Sequence, residues 1–307
     1  PRHCAPPTMS DPPPAPFTAL YLAAGLSSRF GFRVKCLQEV GRSGETLLEL
    51  SVRQLLPHGV GDLVLVVSNG TYDAIHAVVG DVFLGLPVSY VFQVTPEYRK
   101  KPLGTVHALL AAEEVLSRPF LVLNGDTLYG EAALAPVCAH LTRQSGRGGD
   151  GGAGTGSDQG GVSGEGAAEA CMPGYPLKDV LPRAGQVNRA IIEVGDGGQL
   201  DAIVEQYNIA MADVESGKYS GQELTSMNIF AFPLPVVAFA RRKFKAWLAA
   251  NATEEVAEYI LSTMLNDLRG ETGIGTRVVP VGSAVPLELT NPDDLAYVKN
   301  NLQLVGL

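Results

Sequence analysis

The sequence predicts an α/β protein in which helices cover both faces of a doubly wound, mostly parallel sheet. Short apolar runs alternate with segments of helical spacing, and such alternation builds right-handed parallel connections. The runs are apolar throughout, which is typical of strands buried on both faces. The chain has 307 residues, 46% of them apolar, which is enough to form a large core without disulfides or metals.

The predicted elements follow one another along the chain. The first half supplies strands at 18–23, 62–68, 88–93 and 120–124 and helices at 47–56, 72–79, 104–116 and 130–144. The helix at 47–56, for example, keeps its leucines at helical spacing and is followed by Gly59. The second half supplies a strand near 171–177, apolar stretches at 190–194, 200–205 and 227–232, helices at 235–250 and 254–268, a strand at 276–281 and a last helix beginning near Asp293.

Two segments fall outside this pattern. Residues 1–16 include seven prolines and have no apolar period, so we expect a disordered tail. Residues 145–170 begin with a stretch in which half the residues are glycine, and we expect a flexible surface insertion there. The remainder, 17–307, is predicted to be a single domain.

Composition excludes several classes of function. The net charge of -9 argues against nucleic acid or an anionic membrane as the main partner, because both favour a basic surface. No apolar run reaches the roughly 18 residues that a membrane span needs. The four cysteines are far apart, which favours neither a disulfide framework nor a zinc ribbon and fits a cytoplasmic location. Oligomerisation is left open.

The first candidate site is the loop after the first strand. Ala23, Ala24 and Gly25 are small enough to let a flat ligand approach the backbone, and successive backbone N–H groups there form a concavity for anions. Arg29 and Lys35 follow and would neutralise a triphosphate. A tight turn with two solvated cations explains the same residues equally well.

Two further polar residues stand out among the apolar strands. Asp126 follows the strand at 120–124, at the edge where open α/β sheets bind ligands, and it is a natural Mg²⁺ ligand. It would also serve as the cap of a following helix. Asn228 lies within the apolar stretch 227–232, where it needs either a metal or a core hydrogen bond as its partner.

Together these segments resemble the nucleotidyltransferase family that makes nucleotide-sugars from a sugar 1-phosphate and an NTP. LAAGLSSRFGFRVK (22–35), PLGTVHALLAA (102–112) and VLNGDTLYG (122–130) look like the family's LAAGxGxRxxxxxK, GTxxA and GDxxY elements, and SMNIFAF (226–232) also matches. A bacterial-type subgroup with GYxLxxxLxxxGxVxR, here at 174–189, is especially similar. The resemblance implies a Rossmann-like sheet of the nucleotide-diphospho-sugar transferase type with a small β-rich acceptor-binding lobe.

The resemblance also implies roles for single residues. The nucleotide would be bound by Ala23, Ala24, Gly25, Ser27, Ser28, Gln93, Gly104 and Thr105. The catalytic set would be Arg29, Lys35 and Asp126, the Mg²⁺ ligands Asp126 and Asn228, and the acceptor-binding residues Gly174, Glu193 and Glu205. An acceptor phosphate oxygen would attack the α-phosphorus in line, with neither a protein nucleophile nor a general base.

The chain departs from the family pattern at several positions. Ser27 stands where the signature usually has a second glycine, and Val106 replaces a frequent glycine. Gln206 stands where many members have a cation that contacts the acceptor phosphate, unless Lys178, Arg183 or Arg189 supplies that charge. Three hypotheses result: a Mg²⁺-dependent nucleotidyltransferase acting on a sugar 1-phosphate, a cytidylyltransferase acting on a phosphorylated alcohol such as phosphocholine, or a catalytically silent paralogue that binds nucleotide-sugar and regulates a partner.

Overall fold

A computed structural model describes residues 15–25, 33–146, 168–182, 185–282 and 284–307. Its strands are β1 Phe17–Leu22, β2 Val60–Val67, β3 Val82–Phe83, β4 Leu86–Phe92, β5 Phe120–Asn124, β6 Thr127–Leu128, β7 Glu169–Pro176, β8 Val187–Val194, β9 Leu200–Ile209, β10 Leu224–Ser226, β11 Phe230–Phe232, β12 Gly275–Pro280 and β13 Leu287–Glu288. Its α-helices are α1 Leu47–Leu55, α2 Tyr72–Val79, α3 Thr105–Ala111, α4 Glu131–Ser145, α5 Met211–Glu215, α6 Pro235–Ala250, α7 Leu261–Thr272 and α8 Asp294–Asn300.

One large sheet organises these elements. Its strands lie in the order β3-β4-β2-β1-β5-β11-β7-β10-β8-β9, with β12 beside β7. The pairs β4-β2, β2-β1 and β1-β5 are parallel, so the carboxyl ends of these four strands lie along one edge. Strand β11 is antiparallel to both of its neighbours. In this fold, ligands bind where the carboxyl ends of the parallel strands meet.

Helices cover both faces of the parallel part of the sheet. Residues of α1, α2 and α4 pack with one face of the strands, and residues of α3, α6 and α7 pack with the other. The apolar run of β1 has no polar side because both faces of the strand are covered. Tyr21 is buried in the core on one face of the sheet, and Leu20 is buried in the core on the other. The predicted doubly wound α/β fold is confirmed.

An antiparallel extension continues the sheet beyond β7. Strands β10, β8 and β9 pair antiparallel, and β9 forms the edge. In β8 the buried Ala190 and Ile192 alternate with more exposed residues, as in a sheet with one solvent-exposed face. This extension is the small β-rich lobe that the family resemblance implies.

The helix predicted over 254–268 begins later than expected, at Leu261. Residues 251–260 form a loop instead, because the segment before α3 donates hydrogen bonds to the backbone carbonyl groups of this loop. The buried Arg99 side chain donates hydrogen bonds to the carbonyl groups of Glu254 and Ala257, and the backbone N–H of Lys100 donates to Glu255 O. A helix through this loop would use those carbonyls internally.

The stretch predicted as one strand over 227–232 is also interrupted. Strand β10 ends at Ser226 and β11 begins at Phe230. Between them Asn228 has a positive φ of 57° and is exposed, so it is not a polar residue within a buried strand. Asparagine tolerates the left-handed conformation better than most residues, which explains its place at this break.

Regular secondary structure extends into both ends of the insertion predicted at 145–170. Ser145 belongs to α4, and Glu169 and Ala170 begin β7, while 147–167 lie outside the described residues, as do residues 1–14 of the predicted tail. Of the cysteines within the described part, Cys36, Cys138 and Cys171 are free and buried. Among the helices that the structure describes, none has the length and apolarity required to cross a membrane.

Candidate active site

The first cavity lies at the carboxyl ends of β1 and β5 and has a volume of about 390 Å³. Its lining residues are Leu22, Ala23, Gly25, Val34, Lys35, Cys36, Asn124, Gly125, Asp126 and Glu288. Gly125 allows the two strand ends to approach, since a Cβ there would lie 3.2 Å from Leu22 O and 3.4 Å from the Ala23 Cβ. The loop after β1 and the turn after β5 therefore form the two walls of one cavity.

Lys35 and Asp126 face each other in this cavity. The Lys35 Nζ lies 3.0 Å from the Asp126 Oδ2, and the two side chains are 19% and 24% exposed. The sequence separates them by 91 residues and predicted that Lys35 would hold the triphosphate and Asp126 the Mg²⁺. A cation beside a carboxylate at the end of a parallel sheet is suited to phosphate groups and a metal ion.

Glu288 also lines the first cavity, and sequence analysis did not select it. Strand β6, which follows Asp126, pairs with β13, so that Glu288 lies opposite Thr127 and the Leu289 N–H donates to Asp126 O at 3.0 Å. The turn at Asp126 therefore leads into this short ladder, and not into a helix that Asp126 would cap. The signal in the sequence was a single acid in the apolar run Leu287 to Leu289.

Glu288 lies among charged neighbours in a mostly buried position. Its side chain is 22% exposed, and the Arg189 Nη2 lies 3.1 Å from its Oε2. Burial raises the pKa of the Glu288 carboxyl; Arg189 opposes that effect, Asp126 adds to it, and Lys35 opposes it again. A further positive charge at this position, such as a bound metal ion, would favour the ionised form of Glu288.

A second cavity of about 50 Å³ adjoins the first. It is lined by Asn124, Asn188, Arg189, Ala190, Glu205, Ser226, Met227, Asn228 and Glu288. Asn124 and Glu288 line both cavities, so a ligand in one would touch residues that also face the other. The Glu205 carboxylate accepts a hydrogen bond from the Ser262 hydroxyl at 2.7 Å, which fixes its orientation. The arrangement suits two ligands that bind side by side.

Three residues predicted to bind the nucleotide contact other parts of the protein. The Gln93 Nε2 donates to Gly104 O at 3.0 Å, and the Thr105 hydroxyl accepts from the Leu261 N–H at 2.9 Å. Gly104 has a φ of 100°, and a Cβ there would lie 2.3 Å from Tyr259 O. Gln93, Gly104 and Thr105 line neither of the two cavities, and here they anchor the loop before α7.

The remaining predicted residues are distributed unevenly. Ala24, Gly174 and Glu193 line neither cavity. Gly174 lies against the Leu224 side chain, where a Cβ would approach to 3.0 Å, and Glu193 is exposed on β8. Ser27, Ser28 and Arg29 lie outside the described residues.

A comparison with protein-family models matches residues 19–255 to the MobA-like NTP transferase domain. That range includes most of β1, both Lys35 and Asp126 of the first cavity, and the whole β8–β9 hairpin. The chain belongs to this family of nucleotidyltransferases. The resemblance to nucleotidyltransferases is thus confirmed.

Curated relatives of this transferase domain match it over part of its length. It is 35% identical over 118 residues to the bifunctional protein GlmU of Anaeromyxobacter sp. (strain Fw109-5), covering 37% of this chain and 22% of that protein. It is 29% identical over 136 residues to the CMP-5'-(3-aminopropyl)phosphonate synthase of Streptomyces rubellomurinus (strain ATCC 31215), covering 43% of this chain and 20% of that protein. The chain thus spans about a fifth of the length of these relatives.

Solved structures share the fold over almost the whole chain. The inositol-1-phosphate CTP transferase from T. maritima superposes with a TM-score of 0.59 at 19% identity, covering 94% of this chain and 95% of that one. HddC from Yersinia pseudotuberculosis, solved with GMP-PN, gives a TM-score of 0.55 at 16% identity and covers 93% and 99% of the two chains. These similarities establish the Rossmann-like transferase fold.

The described residues at the two cavities include no activated nucleophile. Burial, with the nearby charge of Asp126, raises the pKa of the Cys36 thiol to about 12, so that it stays protonated. No histidine lines either cavity among the described residues, and the half-buried His107 stacks on Phe244 instead. Among the described lining residues, neither a histidine nor a deprotonated cysteine is available to carry the transferred group.

Proposed function

We propose that the domain transfers a nucleotidyl group from an NTP to a sugar 1-phosphate, forming an NDP-sugar and pyrophosphate. The observation that carries the proposal is the pair of adjoining cavities that share Asn124 and Glu288. The nucleotide would occupy the larger cavity, with its phosphates toward Lys35. The acceptor would occupy the smaller one, so that its phosphate oxygen approaches the α-phosphorus.

Binding geometry would supply most of the catalysis. Holding two reactants in line removes much of the entropic barrier, and fixed charges stabilise the negative charge that develops on the transferred phosphoryl group. Lys35 is held in place by Asp126 before any ligand binds. An acceptor phosphate is ionised at neutral pH, so the acceptor oxygen needs no general base.

Mg²⁺ fits the donor set of the first cavity. Asp126, directly before β6, and Glu288, on its ladder partner β13, offer carboxylate oxygens, and Mg²⁺ favours one or two carboxylates together with substrate phosphates. The described residues include no group of three or more His, Cys, Asp or Glu arranged to hold a metal alone, which agrees with a metal that arrives with the nucleotide. When bound, the ion would neutralise charge on the triphosphate. Asn228, the other predicted ligand, lines only the second cavity, beside Glu288.

A second candidate keeps the chemistry and changes the substrates. Cytidylyl transfer to a phosphorylated alcohol such as phosphocholine, or to a phosphonate, is favoured by the similarity to the CMP-aminopropylphosphonate synthase. The small volume of the second cavity, about 50 Å³, also suits a small acceptor.

Pyrophosphate release distinguishes these candidates. The four NTPs are crossed, in the presence of Mg²⁺, with sugar 1-phosphates, phosphocholine and an aminoalkyl phosphonate, and Asp126→Ala serves as the inactive control. Release confined to one sugar 1-phosphate pair supports the first candidate, and release confined to CTP with phosphocholine or the phosphonate supports the second. Absence of release with every pair, from protein that binds nucleotide-sugar, would overturn both in favour of a regulatory role.

A further inference from the structure

We propose that Arg189 binds the phosphoryl group of the acceptor. The inference rests on the proposed function, since it assigns the second cavity to the acceptor, and it names the residue that recognises the acceptor's anionic group. In the sequence, Arg189 is only one of three candidates to replace a missing cation. The structure shows that Arg189 lines the second cavity, pairs with Glu288 and lies opposite Gln206.

The charge of the second cavity requires a cation. Among the described residues that line it, Glu205 and Glu288 are acidic and Arg189 carries the only positive charge. A phosphomonoester carries between one and two negative charges at neutral pH, and two nearby carboxylates would repel it. An arginine is suited to this task, because its guanidinium stays charged at neutral pH and donates strong hydrogen bonds to phosphate oxygens.

The Arg189 side chain is held ready in one orientation. Its Nε and Nη2 donate to Val180 O at 3.3 and 3.0 Å, its Nη1 donates to Asn188 O at 3.3 Å, and its Nη2 donates to the Glu288 carboxylate at 3.1 Å. Within the described part of the chain, these contacts use four of the five N–H groups of the guanidinium and leave one on Nη1 for a ligand. The side chain is 14% exposed, so little conformational freedom would be lost on binding.

Strand register explains how Arg189 compensates for Gln206. The two residues are direct cross-strand partners in the β8–β9 hairpin, so their side chains lie on the same face. Strand β9 contains no lysine or arginine, and Arg189 is the only one in β8. The cation thus lies one strand away from Gln206, at the same level of the ladder.

Methyl phosphate is the probe for this assignment. Its methyl signal reports binding in saturation-transfer NMR, with the full chain, Mg²⁺ and no nucleotide. We expect Arg189→Gln to weaken binding at least about tenfold, as loss of a hydrogen bond to a charged group implies. Arg277→Gln is the matched control, because Arg277 also pairs with a strand carboxylate, that of Glu169, and lines neither cavity. Unchanged binding by Arg189→Gln would overturn the proposal.

Substitutions at position 206 test the same proposal without touching Arg189. Gln206→Lys adds a cation beside Arg189 and should tighten methyl phosphate binding about two- to fivefold, while Gln206→Glu should weaken it by a similar factor. In Arg189→Gln protein, Gln206→Lys should restore part of the binding. If neither single substitution at 206 changes the affinity, the assignment is wrong even if Arg189→Gln fails to fold.

Nucleotide binding separates this inference from the proposed function. Binding of each Mg·NTP is measured on the same variants by its effect on the thermal unfolding midpoint. Wild-type protein that binds no NTP would contradict the proposed function. Protein that binds NTP and releases pyrophosphate, with an unchanged acceptor KM in Arg189→Gln, would contradict only the role of Arg189.

Discussion

The two cavities lie side by side but are built in different ways. The first is formed mainly by three short segments: 22–25 and 124–126, which lie at the ends of the parallel strands β1 and β5, and 34–36, which lies later in the connection from β1 to α1. The second combines parts of β8, β9 and the turn after β10 with Asn124 and Glu288. Segments of the first kind are visible as motifs, whereas a cavity of the second kind depends on strand register. The first cavity is therefore encoded locally, whereas the second is encoded by long-range strand pairing.

The largest effect on activity is expected at Asp126, a residue of the first cavity that was predicted from the sequence. Asp126→Asn removes a charge from the first cavity, and we expect kcat for pyrophosphate release to fall on the order of 10³-fold, similar to the loss of a fixed electrostatic contact. Asp62→Asn is the matched control, because Asp62 lies near the start of β2 and accepts a hydrogen bond from Thr18. Equal losses in the two variants would show that Asp126 acts through folding alone.

Substitution of Glu288, which lines both cavities, should have the next largest effect. We expect Glu288→Gln to lower kcat on the order of 10²-fold, because it removes one of the two carboxylates at the junction. Glu169→Gln is the control, since Glu169 also pairs with an arginine and is 23% exposed, yet lines neither cavity. Wild-type kcat in Glu288→Gln would contradict a role for Glu288 in linking the two cavities.

Gly104 tests whether a predicted nucleotide-binding residue is structural. Gly104→Ala places a Cβ against the Tyr259 backbone at a φ of 100°, and we expect the free energy of unfolding to fall by about 3 kcal/mol or more. Gly44→Ala has a similar φ of 93° but open space around the Cβ, so only the conformational cost of about 1 kcal/mol is expected. Denaturant unfolding of both variants measures the difference, and equal losses would contradict the packing role.

The smallest expected effect concerns the connection between the cavities. The buried Tyr129 hydroxyl accepts from the Asn124 N–H at 3.0 Å and donates to Met227 O at 3.1 Å. Tyr129→Phe should lower the free energy of unfolding by about 1 to 3 kcal/mol, because two backbone groups lose their partner. Tyr175→Phe should cost less, since its hydroxyl donates only over 3.4 Å, to Tyr129 O. The reverse order in thermal unfolding would contradict this account of the junction.

Most of the fold could be predicted from the sequence, because a buried parallel strand and an amphipathic helix each leave a local pattern. The loop at 251–260 could not, since it depends on carbonyl groups that Arg99 binds from more than 150 residues away. Lys35 and Asp126 were found because each follows a recognisable strand. Glu288 was missed because only the pairing of β6 with β13 brings it to Asp126.

We propose that nucleotide and acceptor occupy the two cavities together and react directly. The stereochemical course at the α-phosphorus tests it, using an NTP with a chiral α-thiophosphate and the acceptor identified by pyrophosphate release. A single in-line displacement predicts inversion of configuration. Retention would require two displacements through a group on the protein, and would contradict a site whose cysteine is protonated and whose cavities hold no histidine among their described residues.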